Sequence, residues 1–191
     1  MIDKNSVPNK LLWVDLEMTG LDPNKDLIIE VATEVTDFNF RTLASYEAVI
    51  KQPKDLVIEL FKQNSWWEDY PSNKDDFLSN IDQGKISSEV ETDLLSLLDS
   101  QFQDQLAILA GNSIHNDRAF IRNYWPNLDS RLHYRMLDVS AWKVLMQGKY
   151  KVNFEKKEVH RAFDDIQASI AELQFYLECF KYRDQGSLID D

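Results

Sequence analysis

Residues 11–18 read LLWVDLEM, and this short stretch limits the fold more than any other. The apolar run from Leu11 to Val14 demands a place in a core, and a run of that length ahead of a turn-like Thr-Gly-Leu-Asp-Pro reads as a buried strand. The same strand then carries Asp15 and Glu17. Strand side chains alternate between faces, so the two carboxylates share one face and Leu16 between them points the other way, into the core. Two carboxylates on one face near a strand end repel each other unless a cation or a proton lies between them. With 33 acidic residues in 191, chance alone supplies roughly six acid-x-acid pairs, so the spacing by itself says little. The LLWV run ahead of the pair argues against a solvent-facing edge.

The order of elements sets the fold class. After the first strand, Leu27–Asp37 (LIIEVATEVTD) and Ser45–Lys51 (SYEAVIK) read as second and third strands, joined by polar turns into a three-stranded antiparallel start. Leu56, Leu60 and Phe61 hint at a helix, and NSWWEDYPSNKDD then breaks the pattern. Val90, Leu94, Leu97 and Leu98 give helical spacing across 88–102. Leu106–Ala110 reads as a short strand, 116–125 as a helix, and Leu137 leads into another helix through Leu145. A last helix from about Ala162 to Phe180 carries Phe163, Ile166, Ile170, Leu173 and Leu177 as one stripe. Strands first, then helices alternating with a strand, predict an α/β fold with a mixed sheet flanked by helices.

Composition narrows the function. A net charge of −12 taken alone reads first as an aid to solubility; it also opposes gripping a long polyanion, so any nucleic-acid partner is short or held through metal ions. The single cysteine, Cys179, excludes an intrachain disulfide and fits a reducing compartment. No stretch approaches the roughly 18 apolar residues of a membrane span. The start, MIDKNSVPNK, lacks the apolar region of a secretory signal, so the expected location is cytoplasmic.

Two further segments hold candidate chemistry. In AGNSIHNDRAF (110–120) a strand ends in a polar loop, and Asp117 falls near a helix start, where a role as cap or dipole partner would be enough to explain it if the segment stood alone. In HRAFDDIQASIAEL (160–173) two aspartates compete. Helical phase sets Asp165 nearer the core boundary, on the side of Ala162 and Ser169, and turns Asp164 toward solvent. His160, five positions ahead of Asp165, can reach the same edge.

Asp-x-Glu on the first strand, an Asp after the fourth, and His-x-x-x-x-Asp on the last helix together resemble the DEDDh 3′–5′ exonucleases. The segments WVDLEMTGLD, GNSIHNDRAF, LHYRMLDVS and HRAFDDI resemble the oligoribonuclease branch of that family, over residues 11–50 and 106–180. The resemblance implies a ribonuclease H-like sheet and two Mg²⁺ or Mn²⁺ ions held by Asp15, Glu17, Asp117 and Asp165. It implies His160 as general base and short RNA oligonucleotides as substrates. It also implies a homodimer in which Tyr134 of HYR enters the partner's site. Leu21 matches a residue that packs on the substrate base, and Ser113, Arg135 and Ser140 lie in segments that hold the terminal phosphate.

Residues 54–82 depart from the pattern. The family has a Trp followed by His and Ser-Gly-Leu. Here NSWWEDYPSNKDD offers Trp66 or Trp67 for base stacking and neither of the other features. The expected organisation is an N-terminal extension (1–10), an exonuclease domain (11–182) and a C-terminal tail (183–191). Two other readings compete: a broader exonuclease acting on DNA or RNA 3′ ends, and a catalytically inactive nucleotide-binding module. The HYR segment and the lack of basic clusters count against the first, and the presence of all five catalytic residue types counts against the second.

Overall fold

The computed structural model describes residues 9–155 and 161–183, the last three by backbone alone. His160 and the segments 1–8 and 184–191 lie outside the described residues. The chain opens with three strands, β1 (Lys10–Met18), β2 (Ile28–Asp37) and β3 (Thr42–Val49). Two helices, α1 (Lys54–Gln63) and α2 (Pro71–Asn80), flank a single 3₁₀ turn at Ser65–Glu68, and α3 (Ser87–Phe102) follows. β4 (Ala107–Gly111), α4 (His115–Tyr124), α5 (Pro126–Ser130), β5 (Leu132–Asp138), α6 (Val139–Leu145) and α7 (Ala162–Arg183) complete the chain.

The five strands form one mixed sheet in the order β3-β2-β1-β4-β5. β1 pairs antiparallel with β2 and parallel with β4, and so lies in the middle. Its alternation divides the core in two. Leu12, Val14 and Leu16 face one side with Leu94 and Leu98 of α3 and Phe120 and Ile121 of α4. Leu11 and Trp13 face the other, against Ile166, Ile170 and Leu173 of α7. The Trp13 ring is fully buried and its Nε1–H donates to Thr36 Oγ1 at 2.9 Å, so the polar end of a large apolar side chain is satisfied. Asp15 and Glu17 continue the α7 face of β1, which is how a strand with a core at its start ends in carboxylates.

The expected α/β fold with a mixed, helix-flanked sheet is the one observed, and the antiparallel β1-β2-β3 start is present. Three readings need correction. Residues 132–138, whose end was expected to lead directly into a helix, form β5 first, parallel to β4. β5 is an edge strand with Tyr134, Arg135 and Met136 exposed, so it lacks the apolar run that marks a buried strand. The stripe on α7 is also rotated. Phe163 is exposed, and the buried face runs through Ala162, Asp165, Ile166, Ser169, Ile170, Glu172, Leu173 and Tyr176. Polar residues that face the core made the aliphatic pattern point roughly 60° away from the true buried direction. Finally, the break in the helical pattern after α1 is short and helix returns within it: Asn64 accepts from the Trp66 N–H to start the 3₁₀ turn, and Pro71 opens α2 at a position where its missing N–H costs nothing.

Candidate active site

The carboxylate cluster forms where β1 ends against the first turns of α7. One side-chain oxygen each from Asp15, Glu17 and Asp165 lie within 4.8 Å of one another. Asp165 is buried and Asp164 is exposed, as helical phase indicated. Asp117, buried on α4, joins from the opposite side of β1: its Oδ1 accepts from the Leu16 N–H at 3.0 Å. It is therefore tied to the backbone between the other two acids, outside the group of three.

Such crowding shows in the electrostatics. Burial pushes Glu17 up to about 8, and the nearby Asp165 and Glu30 charges push in the same direction. Burial raises Asp117 to about 7 against the opposing pull of the Leu16 N–H. A cation between these groups would offset both costs. All the donors are hard carboxylate oxygens, the set that Mg²⁺ and Mn²⁺ prefer. The residues present therefore fit a divalent ion.

A cleft of about 530 Å³ opens beside the cluster, lined by Asp15, Glu17, Asp165, Leu21, Trp66 and Ser113 among others. Leu21 is 71% exposed on the loop after β1. That loop is held by Asp26, whose carboxylate accepts from the Thr19 hydroxyl and the Asp22 N–H, each at 3.0 Å. A Cβ on Gly20 would come within 2.6 Å of the Asp26 carboxyl carbon, so a larger residue there would push that carboxylate off its hydrogen bonds. The two tryptophans separate. Trp67 packs on Phe61 with its Nε1–H donating to Thr19 O at 3.1 Å, and belongs to the core. Trp66 lies at the cleft, edge-on to Trp67 and 4.5 Å from the Tyr70 ring.

Ser113 and Ser140 meet, their hydroxyls 3.1 Å apart. Ser113 has a φ of 49°, a left-handed conformation unusual for a side-chain-bearing residue. Its N–H donates to both Asp138 Oδ1 and Ser140 Oγ at 3.0 Å, which holds the turn in place. Tyr134 and Arg135 lie on the exposed strand β5, outside the cleft of their own chain, with the Arg135 guanidinium 5.3 Å from the Tyr134 ring centre.

Sequence reasoning passed over a supporting layer. Glu30, buried on β2, sits directly across from Glu17 in the strand register and accepts from Arg161. Glu172, fully buried on α7, accepts from Asn112 Nδ2 at 3.2 Å and from the Tyr176 hydroxyl at 2.7 Å. Glu172 lies two turns beyond Asp165, a helical spacing that the sequence does show, whereas Glu30 is placed opposite Glu17 only by the register of β1 with β2.

The family described as Exonuclease (RNase_T) matches residues 12–173. The chain is 41% identical over 172 residues to an oligoribonuclease of Francisella tularensis, covering 88% of this chain and 94% of that one. It is 40% identical over 177 residues to the human protein named oligoribonuclease, mitochondrial, covering 90% and 73%. Its fold is similar to Escherichia coli exonuclease I in complex with a dT13 oligonucleotide, with a TM-score of 0.62 at 14% identity over 92% of this chain. The chain spans 43% of that exonuclease I chain, and the likeness is one of fold. With Asp15, Glu17, Asp117 and Asp165 all inside the matched region, the chain belongs to the exonuclease family, among the oligoribonucleases.

Proposed function

We propose that this chain is a 3′–5′ exoribonuclease that degrades short oligoribonucleotides to nucleoside 5′-monophosphates, using two Mg²⁺ or Mn²⁺ ions at Asp15, Glu17, Asp117 and Asp165. The observation that carries this reading is the convergence of three carboxylates beside the Leu21–Trp66 cleft, in a chain similar to oligoribonucleases along most of its length. Divalent ions held by these carboxylates would supply an activated water and stabilisation of the leaving 3′-oxygen. The chain's own groups do the rest. Leu21 and Trp66 offer apolar surface to the terminal base, and Trp67 supports Trp66 from the core. The Ser113 and Ser140 hydroxyls are suited to a phosphate oxygen. His160, five positions before Asp165, takes the proton of the attacking water, a role suited to imidazole near neutral pH.

Tyr134 completes the site of a second copy. In support, Tyr134 is 70% exposed, and Met136, Val144 and Leu145 are also exposed on β5 and α6. Apolar surface on an edge strand and the helix after it is surface that a self-complementary dimer would cover. No helix among the described residues is long and apolar enough to cross a membrane, and the cytoplasm is the proposed compartment.

The test is RNA of five residues, labelled at its 5′ end, incubated with Mn²⁺. The label should move down one nucleotide at a time, with 5′-monophosphates released. Internal cuts, products ending in 3′-phosphate, or cleavage undiminished by chelator would overturn the reading.

A further inference from the structure

Glu30 and Glu17 face each other across neighbouring strands, and each is buried. Two like charges in that register cost stability unless something holds them. Arg161, the residue before α7, supplies the hold. Its Nη2 donates to Glu30 Oε1 at 2.8 Å and its Nε to Oε2 at 3.4 Å, in a two-pronged arrangement. The same carboxylate accepts from the Ala162 N–H at 3.2 Å, so Glu30 also satisfies an otherwise unpaired amide of the first turn of α7. The third guanidinium nitrogen, Nη1, donates to Asp76 Oδ2 on α2 at 2.6 Å, and the guanidinium carbon lies 5.5 Å from the Phe77 ring centre. One turn on, the Asp165 N–H donates to Arg161 O at 3.0 Å. Backbone and side chain of Arg161 thus connect β2, α2 and the turn that carries Asp165.

We propose that Arg161 is a positioning residue: its fork on Glu30 sets the depth and rotation of the first turn of α7, and so brings Asp165 into ligand distance of Asp15 and Glu17. Its bond to Asp76 makes that setting depend on α2, in the same segment as Trp66. The inference deepens the proposed function and rests on its metal site. Arg161 fits this role because a planar guanidinium can hold both oxygens of one carboxylate and still reach a second, which a lysine ammonium cannot do in fixed geometry.

The experiment compares wild type with Arg161→Gln, Arg161→Lys and Asp76→Asn. Mn²⁺ binding is measured by calorimetry, kcat and KM on a short RNA, and folding by thermal melt. Both Arg161 variants should lose about 10–100-fold in Mn²⁺ affinity, as expected when a group orienting a ligand is removed. At saturating Mn²⁺ the loss should remain in kcat, with KM little changed, because Leu21 and Trp66 are untouched. Failure of lysine to rescue separates positioning from simple charge balance. Asp76→Asn, at a half-exposed site, should fold normally and show a smaller loss in the same direction, and it keeps the test open if Arg161→Gln does not fold. Folded Arg161 variants that bind Mn²⁺ within about twofold of wild type, or full rescue by lysine, would overturn the proposal. The titration needs no RNA, so a wild-type chain that binds Mn²⁺ but cleaves nothing would sink the proposed activity and leave the Arg161 comparison standing.

Discussion

Asp164 and Asp165 are neighbours in sequence with opposite environments, one in solvent and one in the carboxylate cluster. Asp165→Ala should therefore abolish metal-dependent cleavage and Asp164→Ala should leave most of it. Equal loss in the two variants, read as initial rates on a short RNA, would remove Asp165 from its assigned place. The tryptophans make a similar pair with a different readout. Trp66→Ala should weaken binding of short oligomers by about 1–3 kcal/mol while the melt is nearly unchanged. Trp67→Ala removes a ring packed on Phe61 and Phe77 and should cost about 3–5 kcal/mol of stability. A Trp66 variant with full dinucleotide affinity would take that ring out of the substrate cleft. Glu17 sets a pH dependence. Its folded pKa of about 8 lies above the ordinary 4.5, so the folded state binds this proton more tightly than the unfolded chain does. Metal-free stability from this group is then complete below pH 4.5 and falls as pH rises toward 8. The lowered pKa values of Asp22, Asp37 and Asp93 act below that window, since those groups start from 3.8. Thermal melts at pH 5 and pH 8 with and without Mn²⁺ check this: the fall should be present in the metal-free protein and reduced by the ion.

At the level of elements, β1 and α7 explain both what the sequence revealed and what it hid. β1 was legible because LLWV forces burial and period two then assigns Asp15 and Glu17 to one face. The start of α7 was legible in phase but not in direction, since Ser169 and Glu172 belong to a buried polar row that hydrophobicity does not register. β5 was hidden by its exposed edge, and 54–82 by its Trp, Tyr and Pro content, which makes sense only once Trp67 and Asn64 are seen donating to Thr19 O. Long-range pairs such as Glu30 with Arg161 have no local signature at all. The close fit of elements also gives a prediction. A Cβ on Gly111 would approach Val14 O at 2.9 Å, where β4 runs against β1. Gly111→Ala should destabilise the protein by about 1–3 kcal/mol, as overpacking does, and an unchanged denaturation midpoint would mean that β4 can shift at no cost.

For the whole molecule, an acidic surface and a small cleft suit a short substrate more than a long one, which would be repelled along its length. The proposed dimer would make the site a property of two chains. Mixing Asp15→Ala with Tyr134→Phe should revive about a quarter of the sites, because in a mixed dimer only the site with intact carboxylates and a borrowed tyrosine is whole. No recovery after verified subunit exchange would place Tyr134 outside the partner's site. Metal belongs to the same scale: at 100 times its dissociation constant it should add about 2.7 kcal/mol to stability. The most direct measurement is anomalous diffraction from crystals grown with Mn²⁺ and a short RNA whose terminal linkage resists hydrolysis. Strong manganese peaks should lie among the carboxylates of Asp15, Glu17 and Asp165, with the terminal base against Leu21 and Trp66. A cluster without manganese at saturating concentration, or RNA bound elsewhere on the surface, would contradict the account.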